Sequence, residues 1–341
     1  MKIWIDILTP KQLVFFEPLI KKLSKNHELL CTSRNYREAT ELAKLRKLDL
    51  IIVGRHGGAE KAEKLLANIK RMNSLFKIIV QFNPELTISF CSPDASRISF
   101  GLGIKHVAFC DSPHASAVMR LTLPLIQKLL IPWIIPKKEF VKYGIQSKNI
   151  IPYRAIDASI TIKRPSIQKE NLFKKSNKKR ILIRMAEEQS AYKTDSNKII
   201  PIIKKIITEF REEDIIILGR YSDQVKQLKK LFGKNIQILN MSYDGKFLLE
   251  NINVFVGSGG TMTAESALLG VPTISYNATP NLIEDYLVKK NLVTRETNPE
   301  KIVKIIKKYN ESSDEIINDR AKKLLHSMEN PHSKLEKIFK L

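Results

Sequence analysis

The stretch from Asn253 to Tyr276 constrains the fold of this chain more than any other. A short apolar run, Asn253-Val254-Phe255-Val256, enters Gly257-Ser258-Gly259-Gly260. A short helix from Thr261 ends at Gly270-Val271-Pro272, and Thr273-Ile274-Ser275-Tyr276 follows as a second apolar run. Strand, glycine turn, helix, glycine stop and strand make one crossover unit of a parallel sheet. Glycines let such a turn tighten and approach a ligand closely. The N–H groups that open the next helix, and its dipole, favour an anion there. Ser258, Gly259, Gly260 and Thr261 are therefore candidates to hold a phosphate or diphosphate. Glu265, one turn in, can accept hydrogen bonds from ribose hydroxyls. The same glycines would also suit an ordinary tight turn, and Glu is common on exposed helix faces. The spacing to Glu265 and to Gly270-Val271-Pro272 weighs toward nucleotide binding.

The rest of the chain repeats this alternation twice. Strands are expected at Ile3 to Ile7, Leu29 to Ser33, Leu50 to Gly54, Ile78 to Phe82 and Val107 to Cys110, with helices between, including Glu60 to Asn73. Thr9 suits an N-cap and Pro10 a first helical position. Leu13, Phe16, Ile20 and Leu23 recur at helical spacing, and Pro18 is expected to kink that helix. Residues 163–179 hold seven Lys or Arg and one Glu, the composition of a solvated linker. A second set of strands is expected at Arg180 to Arg184, Asp214 to Leu218, Ile236 to Leu239, Val254 to Val256 and Thr273 to Ser275. The expected organisation is α/β, with two Rossmann-like domains at 1–162 and 180–330. A last helix within 331–341 crosses back to the first domain. Ligands in such folds bind beyond the carboxyl ends of the strands, and both sheets are expected to offer those ends to an interdomain cleft.

Ser-Gly-Gly-x-x-x-x-Glu-x-x-x-x-Gly-x-Pro, as it stands at 258–272, resembles the donor-nucleotide motif of GT-B glycosyltransferases of the MurG type. It is also similar to that of the UDP-N-acetylglucosamine 2-epimerases, whose turn is one residue shorter before the Glu. A resemblance over nearly the whole chain is to a mostly archaeal family known as domain of unknown function number three-five-four. It is carried by Met1 to Asp6, Phe15-Phe16-x-Pro18-Leu19-Ile20, Ser92-Pro93-Asp94-Ala95-x-Arg97-x-x-Phe100-Gly101-Leu102-Gly103 and Asp111-x-x-His114-Ala115. Arg120-Leu121-Thr122-Leu123-Pro124 and Gly259-Gly260-Thr261-Met262 complete it. The resemblance implies GT-B architecture. It also implies a nucleotide-diphosphate sugar, foremost a UDP-sugar, as substrate, with neither metal nor other cofactor. Members usually carry a His after the first strand where this chain has Gln12, and glutamine cannot act as a base.

Composition narrows the alternatives. The 341 residues suffice for two cores, and no apolar run approaches the ~20 residues of a membrane span. An acid at Asp6 argues against a secretory leader, so a cytoplasmic location is expected. Cys31, Cys91 and Cys110 form no CxxC pair, and the six histidines show no metal-ligand spacing. The net charge of +23 attracts anions. A lysine-rich composition with solvated helix faces accounts for most of it. Peripheral contact with an anionic membrane is a further possible use, and Leu121 to Ile135 could offer an apolar patch, though burial explains it more simply. No nucleic-acid-binding motif accompanies the charge, and specific nucleic-acid binding is not expected.

Further candidates lie at expected strand ends. Arg220 and Arg184 could pair with a diphosphate and oppose charge on the leaving group, or be ordinary cations. Met241-Ser242-Tyr243 would contact a base through the main chain. In the first domain, Asp6 and Thr9 end the first strand. Asp111 and His114, three apart beyond another strand, could form a base held by its carboxylate, or a self-bonded loop. His56 lies in Gly54-Arg55-His56-Gly57-Gly58, a possible second anion nest. Arg97 is equally suited to a structural ion pair. Glycosyl transfer is the leading expectation. Epimerisation of a UDP-N-acetylhexosamine would require several first-domain carboxylates and a basic residue. A non-enzymatic nucleic-acid binder is the third alternative.

Overall fold

The computed structural model describes residues 1–58, 60–167, 172–173, 177–186, 199–219, 222–233, 236–239, 243–277, 280–311 and 315–341. The chain divides into two units, Met1–Arg164 with Met328–Leu341, and Pro165–Ser327.

The first unit holds seven strands: β1 Lys2–Ile7, β2 Glu28–Asn35, β3 Ile51–Arg55, β4 Leu86–Ser89, β5 Lys105–Phe109, β6 Lys128–Pro132 and β7 Ile150–Tyr153. All pair in parallel, in the order β3-β2-β1-β4-β5-β6-β7. The second unit holds β8 Arg180–Arg184, β9 Asp214–Leu218, β10 Gln237–Leu239, β11 Val254–Gly257, β12 Thr273–Ser275 and β13 Thr294–Arg295. Their order is β10-β9-β8-β11-β12-β13, again all parallel. In each sheet the winding reverses beside the first strand, between β1 and β4 and between β8 and β11. Such a reversal opens a crevice at the carboxyl ends. Gly257 to Gly260 leave the second sheet at that place.

Local sequence explains the elements around the first reversal. Helix Pro10–Leu23 has proline at its first position, and Thr9 accepts a hydrogen bond from the Gln12 N–H at 3.4 Å. The helix continues through Pro18. It buries Phe15 and Phe16, whose rings meet Phe109 edge-on at centroid distances of 5.1 and 5.8 Å. Helix Pro331–Phe339 belongs to the same unit: the His332 ring packs edge-on against Phe15 at 4.8 Å. The second core is aliphatic, with Ile181, Ile183, Ile202, Ile206, Ile217 and Val256 among its buried members.

Two expectations are corrected. Ile78 to Phe82 is not a strand but the end of helix Lys61–Phe82, which Asn83 terminates in the left-handed region at φ 53°. The β-branched run suggested extension, yet Arg71, Leu75 and Ile79 repeat every fourth residue and form the buried face. The strand beside β1 is Leu86–Ser89, four buried residues too short to show alternation. The basic stretch 163–179 is also not wholly solvated: Leu172 and Phe173 pack on the second unit's core, and Phe173 stacks on Phe247 at 5.9 Å. The Ile167 N–H donates to Asp244 at 2.9 Å. Among the described residues no helix is long and apolar enough to cross a membrane.

Candidate functional site

The glycine turn after β11 is built from the backbone outward. Gly257 ends the strand where a Cβ would lie 2.4 Å from the Phe255 ring and 2.6 Å from Thr263 Oγ1. Gly259 has φ 94°, a conformation that strains any residue with a Cβ. Its N–H donates to Thr263 Oγ1 at 3.2 Å, and its carbonyl accepts from Asn281 Nδ2 at 2.7 Å. Gly260 is the N-cap of helix Thr261–Leu268, and among the described residues no side chain caps that helix. The first-turn N–H groups thus keep the anion-binding capacity that helix starts have. Among the described residues a Cβ on Gly260 would meet nothing within 4 Å, so their packing does not require this glycine. Gly270 is: it has φ 78°, and a Cβ there would lie 2.8 Å from Asn318 Cα.

The other second-unit candidates separate. Ser258 and Thr261 are half-buried beside the turn. Glu265 is buried in the helix, not displayed on its surface. Arg184 is also buried, and its Nη1 donates to the Leu218 and Gly219 carbonyls at 3.2 and 3.1 Å. It thereby ties the end of β8 to the exit of β9. Arg220, Met241 and Ser242 lie outside the described residues, and Tyr243 is half-buried. Asn281, passed over in the sequence, caps helix Leu282–Lys289 with its oxygen while its amide holds Gly259. Asn before an apolar helix was the available signal for its capping half.

In the first unit, Asp111 is engaged by Lys11 and by Ser112 Oγ, the latter at 2.9 Å. Lys11 Nζ also lies 2.8 Å from Asp157 Oδ2 and 4.4 Å from the Phe90 ring centre. The Tyr153 hydroxyl donates to Asp157 at 2.5 Å. One ammonium therefore bridges two carboxylates. Burial alone would raise Asp111, but the charge and hydrogen bond of Lys11 hold it below the usual carboxylate range. Burial raises Asp157 to about 6; Lys11 opposes the rise and the Asp111 charge adds to it. Burial would lower Lys11, yet its two partners keep it above its ordinary value. Lys11, Tyr153 and Asp157 were not anticipated. Lys11 sits beside Gln12 after β1, but Asp157 follows β7, a strand without a sequence signal.

His114 is exposed on the next loop; burial lowers its pKa, with Asp111 acting in the opposite sense. Gln12 accepts from the Leu8 N–H at 2.7 Å and donates to the Phe90 carbonyl at 3.5 Å, fastening the turns after β1 and β4. Asp6 is fully buried, with hydrogen bonds from Thr32 and Ser92 hydroxyls and from Arg71 Nη2, each 2.6 Å long. Arg71 also pairs with Asp94. Asp6 is therefore part of a buried ion network, while Arg97 is exposed on its helix. All three cysteines are buried thiols. Among the described residues no group of three His, Cys, Asp or Glu side chains is placed to hold a metal ion.

Residues 1–334 match the family described as protein of unknown function, DUF354. The uncharacterized protein MJ0665 of Methanocaldococcus jannaschii is 26% identical over 319 residues, spanning 90% of this chain and 91% of its own. Among solved structures, the UDP-GlcNAc 2-epimerase of Neisseria meningitidis bound to UDP-GlcNAc is similar with a TM-score of 0.72. The identity is 16% and coverage is 100% of both chains. The spinosyn rhamnosyltransferase SpnG, complexed with thymidine diphosphate, is similar with a TM-score of 0.63 and 13% identity over 99% of each chain. Identities this low bear on the fold. Two parallel-sheet α/β lobes of this winding, with the family match over nearly the whole length, mean that the chain belongs to the DUF354 family and has the GT-B fold.

Proposed function

We propose that this protein is an enzyme acting on a nucleotide-diphosphate sugar, foremost a UDP-sugar, and that the diphosphate binds at the Gly257–Thr263 turn. The carrying observation is Gly260: a glycine whose missing side chain would meet none of the described residues, at a helix start that none of them caps, beside the reversal of the second sheet. The similar structures named above were determined with UDP-GlcNAc and thymidine diphosphate, which supports the ligand class. In this reading the first-turn N–H groups of helix Thr261–Leu268 take the diphosphate, and Glu265 is assigned to the ribose. Arg220 and Arg184 are the candidate cations for the leaving group, and no metal is assigned a role. In glycosyl transfer an acceptor O–H attacks the anomeric carbon, the bond to the diphosphate breaks, and a base takes the proton. His114 and Asp157 are the candidates for that base.

A second reading, epimerisation of a UDP-N-acetylhexosamine, is favoured by the Lys11–Asp111–Asp157 cluster. Two carboxylates with separated pKa values and a shared lysine are the parts that proton exchange at a sugar carbon requires. Incubation with UDP-GlcNAc alone separates the readings: a new UDP-sugar without acceptor supports epimerisation, and turnover only with acceptor supports transfer.

Gly260→Ala tests the common premise. The fold accommodates the methyl, so the melting temperature should stay unchanged. UDP-sugar affinity measured by calorimetry should fall at least about tenfold, roughly 1.4 kcal/mol. Undiminished affinity would remove the turn from the donor site.

A further inference from the structure

We propose that Arg34 and His56 form a second anion site in the first unit, one that takes the carboxylate or phosphate group of a small molecule other than the nucleotide sugar. It does not depend on the donor assignment.

Arg34 and His56 lie at the carboxyl ends of neighbouring strands. Asn35 pairs with Arg55 in the β2–β3 register, and the His56 N–H donates to the Asn35 carbonyl at 3.1 Å. Both side chains rest on Tyr36: the His56 ring stacks on it at 5.2 Å and 29°, and Arg34 Cζ lies 5.9 Å from the ring centre. The pair is held in place without using its polar groups on each other.

Arg34 is half-buried, and part of its guanidinium lacks what a shielded cation normally has. Among the described residues its buried Nε has no hydrogen-bond partner. The nearby carboxylates, Asp6 and Asp94, act on it through space, and their own hydrogen bonds come from Arg71, Thr32, Ser92 and Asn68. Burial and the like charge of Arg71 hold its pKa below the ordinary value. A shielded guanidinium N–H without an acceptor is costly, and an oxyanion that accepts from the guanidinium fork removes the cost.

His56 is set as a donor. Its Nδ1 accepts the Gly58 N–H at 3.1 Å, so the neutral ring carries its proton on Nε2. Burial, Arg34 and Lys64 lower its pKa to about 4, which keeps that ring neutral at pH 7. The glycines are not themselves the binder. The Gly58 N–H is occupied by His56, and a Cβ on Gly57 would lie 2.5 Å from Lys64 Cα, so packing requires that glycine.

The test is thermal melting of the full chain against inorganic phosphate and, separately, acetate, with ionic strength held constant by NaCl. In the wild type the melting temperature should rise with anion concentration. Phosphate alone raising it identifies a phosphate group, and acetate alone a carboxylate. Gly260→Ala should keep the rise, which excludes the glycine turn as its source. Arg34→Gln in the Gly260→Ala background should abolish the rise, and Arg34→Gln alone, by removing a poorly solvated charge, should melt above the wild type without anion. His56→Phe keeps the stack on Tyr36 and loses the Nε2 donor; it should weaken the response, and it carries the test if Arg34→Gln does not fold. An undiminished response in Arg34→Gln or in His56→Phe, or no response of the wild type to either anion, overturns the proposal.

Discussion

Arg71→Met should destabilise the first unit by about 3–5 kcal/mol in chemical denaturation, the usual cost of removing one partner of a buried ion pair. Arg71 is 2% exposed and serves three acceptors: the Val53 carbonyl, Asp6 and Asp94. Methionine fills much of the same volume, so the loss reports the charge and not a cavity. Asp6 would keep the Thr32 and Ser92 hydroxyls, but a buried carboxylate held by neutral donors alone is poorly compensated. By contrast, Lys22–Glu336 on the surface should contribute under about 1 kcal/mol.

The pH dependence gives this prediction a sign. Burial would raise the Asp6 carboxyl, but Arg71 holds it below the ordinary 3.8. A depressed folded pKa contributes stability that is present above the unfolded pKa and lost as pH falls through the folded one. Without Arg71 the burial effect is left, the Asp6 pKa rises above 3.8, and mild acid should partly restore the variant. Adding Asp6→Asn should recover part of the loss at pH 7. A variant as stable as the wild type, with no change in acid response, would show that the network contributes nothing net.

Arg71 also shows where the sequence stops being legible. In Lys70-Arg71 it looks like one more solvated cation of a basic chain. Only its spacing to Leu75 and Ile79 places it on the buried face, and that requires Ile78 to Phe82 to be helix. The β-branched run pointed the other way, and the same misreading hid β4. The second unit was far more readable. Its inner strands are apolar runs bounded by turn residues, and β9 and β12 lie where the sequence puts them, while the two-residue edge strand β13, Thr294–Arg295, carries no such signal. The glycine turn was visible because glycine marks backbone demands directly: φ 94° at Gly259, φ 78° at Gly270 and a collision at Gly257. Lys11–Asp111–Asp157 was not visible, because its members leave three different strands. Spacing along a chain carries no information on which of many lysines will meet which aspartate. Asp111 and His114 were close in sequence, and the Asp111 charge does act on the imidazole, but their spacing held no sign that Lys11 also engages the carboxylate.

Asp157→Asn should therefore have the largest effect on turnover, lowering kcat about 10²–10⁴-fold, the range for a lost general acid or base. Asparagine keeps the shape and can still accept the Tyr153 hydroxyl, while Asp111 retains Lys11, so the fold should survive. The wild-type rate should rise with pH through about 6 as Asp157 is deprotonated, and this limb should vanish in the variant. Stability should move the opposite way. Asp157 is raised from 3.8 to about 6, so between those values the folded chain holds a proton the unfolded chain has released. Stability then falls as pH rises through that window and levels off above it. In Asp157→Asn this slope should be lost. The two measurements separate catalysis from architecture. Loss of the stability slope with kcat unchanged would leave Asp157 a structural partner of Lys11 and remove its proton-transfer role. Loss of both, with UDP-GlcNAc converted by the wild type without acceptor, would make the cluster the proton-exchange centre of an epimerase.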